Sequence, residues 1–151
     1  FDMVALWHVI EHFRDPWVTL AELVRHVEPG GRLLLAAPNP EALQYRVLGR
    51  RWAHVDAPRH TCLIPRRLLR ERLETLGFRE VFATTRDAGG RHWDDFGWRE
   101  SLAGSMRTTL MKRVVRRLGG ALSWGMAGLE ASEGEGSAYT VIFERARGEK
   151  R

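Results

Sequence analysis

Cysteine is almost absent from this chain: Cys62 is the only one in 151 residues. No disulfide can close within the sequence, which suits a reducing compartment such as the cytoplasm. Lysine is nearly as scarce. Lys112 and Lys150 are the only two, so the formal net charge of +5 rests on arginine. The arginines are spread along the whole chain, which reads as background composition more than as a footprint for nucleic acid or anionic lipid. No apolar run approaches the ~20 residues that a membrane helix needs, and no secretory leader is visible. Internal repeats and low-complexity tracts are also missing. There is no initiator Met, and a strand-like run starts at Phe1-Asp2-Met3-Val4 without a polar lead-in. That opening is expected of a chain cut inside a domain. What remains is 44% hydrophobic and 28% charged, a balance that folds.

Residues 2–7 are apolar on both faces after Asp2, as in a buried strand of a parallel sheet. Asp15-Pro16 marks a helix start, with Asp15 as N-cap and Pro16 at the first helical position. Leu20, Leu23, Val24 and Val27 continue it at helical spacing, and Pro29-Gly30-Gly31 turns the chain. Residues 32–37 form a second buried strand. Strand, helix and strand with short connections predict a parallel crossover. A short helix is expected over 41–48 and a long irregular loop over 49–64, a length that is often functional. Pro65 opens a helix carrying Leu68, Leu69, Leu73 and Leu76 on one face, Gly77 caps it, and 78–84 form a third strand. Residues 87–100 fit no element firmly. Residues 102–118 and 121–131 read as two helices split by Gly119-Gly120. A last strand spans 138–144, and 145–151 read as a fraying tail.

The densest chemistry lies at Trp7-His8-Val9-Ile10-Glu11-His12. Ligands of open parallel sheets gather at the carboxyl ends of strands, where Trp7 and His8 fall. If the stretch makes a helical turn, His8, Glu11 and His12 project to one side. Two imidazoles and a carboxylate could then ligate Zn²⁺, Mn²⁺ or Fe²⁺. Structural hydrogen bonds beneath the following loop explain Glu11 and His12 equally well. The same letters spell the H-x-x-E-H of inverted zinc peptidases, which requires one continuous helix. A strand just before it and a new helix from Asp15-Pro16 speak against that context.

Phe1 to Pro16 resembles a branch of the class I S-adenosylmethionine-dependent methyltransferases that includes the ubiquinone-type O-methyltransferases and the small-RNA 2′-O-methyltransferases. Its members carry "FD-x-V" on the fourth strand, then "EH", then "D-P". Glu28-Pro29-Gly30-Gly31 is similar to the "K-P-G-G" turn of that family, and Pro38-Asn39 to its "P-N". The run from Trp52 through Asp56-Ala57-Pro58-Arg59-His60 resembles its "W…D-x-P-R-H" segment, and Leu76-Gly77-Phe78 its "L-G-F". These matches keep their order over residues 1–85.

The resemblance implies an α/β fold: a partial Rossmann-like sheet, strands four to seven, with helices on both faces. The last strand would lie antiparallel between 32–37 and 78–84. Residues 87–136 would be a helical insertion or cap within one domain spanning 1–151. The implied activity is methyl transfer from S-adenosylmethionine to a small-molecule acceptor, through an oxygen before nitrogen or carbon. Leu6, Trp7 and His8 would face the cofactor, although Trp7 also reads as a core aromatic. His8, Glu11, His12 and His60 would hold a divalent metal, with His8 departing from the Glu that some relatives carry there. Without metal, His12 or His60 would serve as general base. The glycine-rich turn that grips the cofactor in this family needs glycines where backbone meets ligand, and no G-x-G-x-G occurs here. A non-catalytic fragment or binding module is therefore the rival reading.

Residues 107–117 form a cationic amphipathic segment. It reads either as a helix for a membrane surface or substrate, or as a packed helix with a solvated basic face. Trp52, Trp93 and Trp98 either line a pocket or cover a core edge. Oligomeric state and the acceptor are not legible.

Overall fold

A computed structural model describes residues 1–104 and 106–147. Four strands form one sheet: β1 (Met3–Trp7), β2 (Arg32–Pro38), β3 (Phe78–Thr84) and β4 (Ala138–Arg145), in the order β1-β2-β4-β3. β1 and β2 are parallel, from Met3 opposite Arg32 to Trp7 opposite Ala36. β4 runs antiparallel to both of its neighbours, as the resemblance implied. Of the tail expected to fray, 148–151 lie outside the described residues, while Arg145 ends β4 with its N–H on the Gly31 carbonyl at 2.9 Å.

Helix α1 (Pro16–Leu23) starts where Asp15 predicts: the carboxylate accepts from the N–H groups of Trp17 and Val18, two of the donors a helix start leaves unpaired. Helices α2 (Leu43–Leu48) and α3 (Arg66–Thr75) follow. Leu20 of α1 and Leu69 and Leu73 of α3 are fully buried against Leu33, Leu35, Val141 and Phe143 of the sheet. These strand residues alternate, so they share one face. Helices were expected on both faces. α1 and α3 share this core face, and the helix that starts after Asp87 meets the opposite one, where Asp87 Oδ2 accepts from the Thr140 hydroxyl at 2.6 Å and Gly89 lies against the Trp7 ring.

Residues 88–103, unassigned in the sequence, are helix α4 (Ala88–Ala103), capped by Asp87, whose Oδ1 accepts from the Gly90 N–H at 2.6 Å. The split expected at Gly119-Gly120 does not occur. One helix, α5 (Thr109–Glu130), runs straight through it. The glycines are contact points: a Cβ on Gly119 would lie 2.8 Å from the Arg99 Cα of α4. Close helix approach outweighs the ~1 kcal/mol that each glycine costs inside a helix.

Candidate functional site

The last rung of β1 is the His8 N–H on the Ala36 carbonyl, 2.9 Å away. His8 itself has φ +52°, a left-handed conformation uncommon for a residue with a side chain. The kink turns the chain out of the sheet at its carboxyl end. A single 3₁₀ turn follows at Ile10–His12. A strand ending at Trp7 and a three-residue turn leave no continuous helix, so the zinc-peptidase reading fails. Ile10 anchors the turn in the core, Glu11 beside it is only 2% exposed, and His12 points outward.

The loop 49–64 folds back over this turn. Thr61 holds it there, its N–H and hydroxyl both donating to the Glu11 carbonyl at 2.8 and 3.1 Å. His60 is thereby set edge-on to His12, with ring centroids 4.8 Å apart. His12 Nδ1 donates to the Arg59 carbonyl at 3.0 Å, and His60 Nδ1 donates to the His54 carbonyl at 2.6 Å. A carbonyl can only accept, so Nδ1 carries the proton in both rings. Nε2 is therefore the nitrogen through which either ring would accept a proton or ligate a cation. Glu11 Oε1 takes a hydrogen bond from His8 Nδ1 at 3.3 Å, while Oε2 is buried without a partner. An orphaned buried oxygen of this kind calls for a missing water, ion or ligand.

Glu11, His12 and His60 each offer one ligand atom, and these atoms lie within 4.8 Å of one another. His8, expected as a fourth ligand, is instead engaged with Glu11. The three-residue set has a borderline-soft donor character and fits Zn²⁺, Mn²⁺ or Fe²⁺ better than Mg²⁺. Backbone carbonyls that orient the imidazoles through Nδ1 match the outer support usual around metal-binding histidines. They match equally the hydrogen bonds expected beneath the loop.

Around these groups lies a cleft of about 510 Å³, lined by His8, Glu11, His12, His54, His60, Trp93 and Phe96 among others. Trp93 stacks obliquely on His8, with centroids 4.6 Å apart. His54 is buried, with Nε2 donating to the Trp93 carbonyl at 3.2 Å, and burial pushes its pKa down to about 4. It stays neutral as part of the wall. Of the tryptophans singled out in the sequence, only Trp93 reaches the cleft. Trp52 and Trp98 are buried and structural. Trp52 Nε1 donates to Gln44 Oε1 at 2.9 Å, and Trp98 Nε1 donates to Glu130 Oε1 at 2.9 Å. His54 and Phe96 were missed; the proximity of His54 to His60 within one loop was the available signal.

Leu6 faces the apolar core, whereas Trp7 is half-exposed beyond it at the strand end. The strand's alternation therefore points Leu6 and Trp7, both expected at the cofactor, to opposite faces at the carboxyl end of β1, where His8 follows. A somewhat larger cavity, about 580 Å³, lies between α4 and α5. Burial raises the pKa of its carboxyl groups Asp94 and Glu130, but Ser137, Gln44 and Trp98 already donate to them. That cavity holds a structural network, so the smaller cleft is the better site.

The fold recurs in solved structures. A putative sarcosine dimethylglycine methyltransferase from Galdieria sulphuraria superposes with a TM-score of 0.57 at 14% identity, over 97% of this chain and 53% of that one. A methyltransferase dependent on S-adenosylmethionine, from Archaeoglobus fulgidus, gives 0.55 at 18% identity, over 96% and 59%. The [4+2]-cyclase SpnF gives 0.53 at 16% identity, over 98% and 50%. At such identities the likeness is one of fold, and a cyclase in the group shows that this fold alone does not fix a reaction. The chain spans about half the length of these structures. No curated protein sequence matches it. A family model described as a methyltransferase domain matches residues 1–81, from β1 through the site turn and loop to β3. That stretch is more than half of the chain and holds Trp7, Glu11, His12 and His60, and by it the chain belongs to the methyltransferase domain family of class I, S-adenosylmethionine-dependent enzymes.

Proposed function

We propose that the protein transfers the methyl group of S-adenosylmethionine to an oxygen of a small, planar acceptor held in the cleft between the β1 turn and α4. The observation that carries this reading is the convergence of one ring nitrogen of His12, one of His60 and one carboxylate oxygen of Glu11 within 4.8 Å of one another. A hydroxyl nucleophile must lose its proton during attack, and a neutral imidazole in reach of it can take that proton. A thioether acceptor, which has no proton to lose, would need no such pair. The motif resemblance to ubiquinone-type O-methyltransferases points the same way.

Within this reading Trp7 and His8 lie along the cofactor, and the bound cofactor supplies an electrophilic methyl on a sulfonium. Trp93, Phe96 and His54 form an aromatic wall that orients a flat acceptor and excludes water. Residues 87–136 serve as the cap that carries part of this wall. The glycine-rich turn used by the family is not among these 151 residues, so they supply one side of the cofactor site.

A divalent cation of the Zn²⁺, Mn²⁺ or Fe²⁺ type fits Glu11, His12 and His60. Bound there, it would lower the pKa of an acceptor hydroxyl. Metal analysis of the intact protein decides between cation and free base. With a cation, Glu11→Ala and His12→Ala each lose the bound metal. If neither variant changes the metal content, the cation reading is wrong and the histidines act as bases alone. The transfer itself is tested with cofactor bearing a tritiated methyl group and a panel of phenols and catechols. Label should appear in an aryl methyl ether. Label found only on nitrogen or carbon would refute the oxygen acceptor.

A further inference from the structure

Helix α5 is amphipathic in the reverse sense to a packed helix. The side it turns to α4 is small or polar: Gly119 and Gly120 meet Arg99, and Ser123 and Glu130 are buried. Its apolar side faces water. Leu110, Val114 and Leu118 repeat every four residues along one stripe and are 68%, 50% and 61% exposed; Leu129 continues it at 57%. An exposed row of this kind marks a partner surface.

The charge around the stripe selects the partner. Residues 101–129 contain no Asp or Glu. Lys112, Arg113 and Arg117 are exposed and form no ion pair among the described residues, whereas Arg116 is held by Glu100. Trp124, 86% exposed, stands on the same border as Arg117, a position favoured by tryptophan at an interface between apolar and aqueous phases. A second copy of the helix would set these cations against one another with no carboxylate to answer them. A nucleic acid would neutralise the arginines and leave Leu110, Val114 and Leu118 in water. An anionic lipid surface satisfies both: acyl chains take the stripe, and phosphates take the cations, whose long stems reach outward from the border. No helix among the described residues is long and apolar enough to cross a membrane, so such a helix lies in the surface plane.

We propose that the outward face of α5 docks the protein on anionic bilayers. The proposal does not depend on which reaction the cleft performs. It is tested by co-sedimenting the intact protein with vesicles of phosphatidylcholine and phosphatidylglycerol in equal parts, and with vesicles of phosphatidylcholine alone. Binding should be at least about tenfold tighter to the anionic vesicles and should weaken steeply with salt. The double variant Val114→Glu/Leu118→Glu should abolish binding, and Arg113→Gln/Arg117→Gln should weaken it about tenfold or more. Both should keep the circular dichroism and unfolding midpoint of the parent, because these side chains point outward. Equal binding to both vesicles, or to neither, overturns the proposal. So does self-association that the glutamate variant abolishes, or tight binding to duplex DNA that it leaves intact.

Discussion

His54 lies beneath the cleft wall with its ring committed to the Trp93 carbonyl, and burial brings its pKa from 6.5 to about 4. In the unfolded chain the same ring titrates near 6.5, so between these values the unfolded state binds the extra proton. Its contribution to stability is therefore complete above about pH 6.5 and is lost as the pH falls toward about 4, roughly 3 kcal/mol over the whole span. Asp94 and Glu130 act in the opposite sense. Burial raises their pKa values, so the folded state holds their protons longer, and their contribution is present in acid and lost as the pH rises through the folded values. Urea unfolding of the protein and of His54→Gln, at about pH 7.5 and about pH 5, separates the two. The parent should lose more stability than the variant on acidification. Equal losses would show that His54 is not the source. At this scale the sequence was informative where the signal was local, as in the Asp15 cap. It was silent on the positive φ of His8, which follows from the sheet's last rung and the turn beyond it.

Helix α5 shows why local propensity misleads at the scale of an element. Two adjacent glycines read as a break, yet they are the place where α5 meets the backbone of α4 at Arg99. Gly119→Ala should destabilise the protein by about 1–3 kcal/mol through overpacking, despite the better helix propensity of alanine. Gly125, in the same helix with nothing within 4 Å of its would-be Cβ, is the control. Gly125→Ala should stabilise by about 0.5–1 kcal/mol. Thermal unfolding of the two variants checks the pair, and stabilisation by both would contradict the close contact. The loop 49–64 was legible as long and irregular. Its order was not, because Trp52 is held by Gln44, whose amide in turn donates to the Asp94 carbonyl and Glu130. Partners so distant in sequence leave no periodic trace.

At the scale of the molecule, the strand order was readable only through the motif resemblance, since β4 is inserted between two strands that precede it. Its motifs held because each is a local turn or strand end: Glu11-His12 after β1, Pro29-Gly30-Gly31 before β2, Leu76-Gly77-Phe78 before β3. The cleft draws on three segments, the turn at 8–12, the loop at 54–60 and α4 at 93–96, and the third was unassigned from sequence. Its aromatic wall was thus half seen. Two of the three segments bring the His12 and His60 rings together beside the buried Glu11 carboxylate, and the proposed function rests on that pair as proton acceptors. The most direct test is methyl transfer by the intact protein compared with its His12→Ala/His60→Ala variant, with cofactor affinity measured on the same samples. The account predicts that affinity for the cofactor is retained while transfer falls by about 10²–10⁴-fold. Unchanged transfer in the double variant would contradict it.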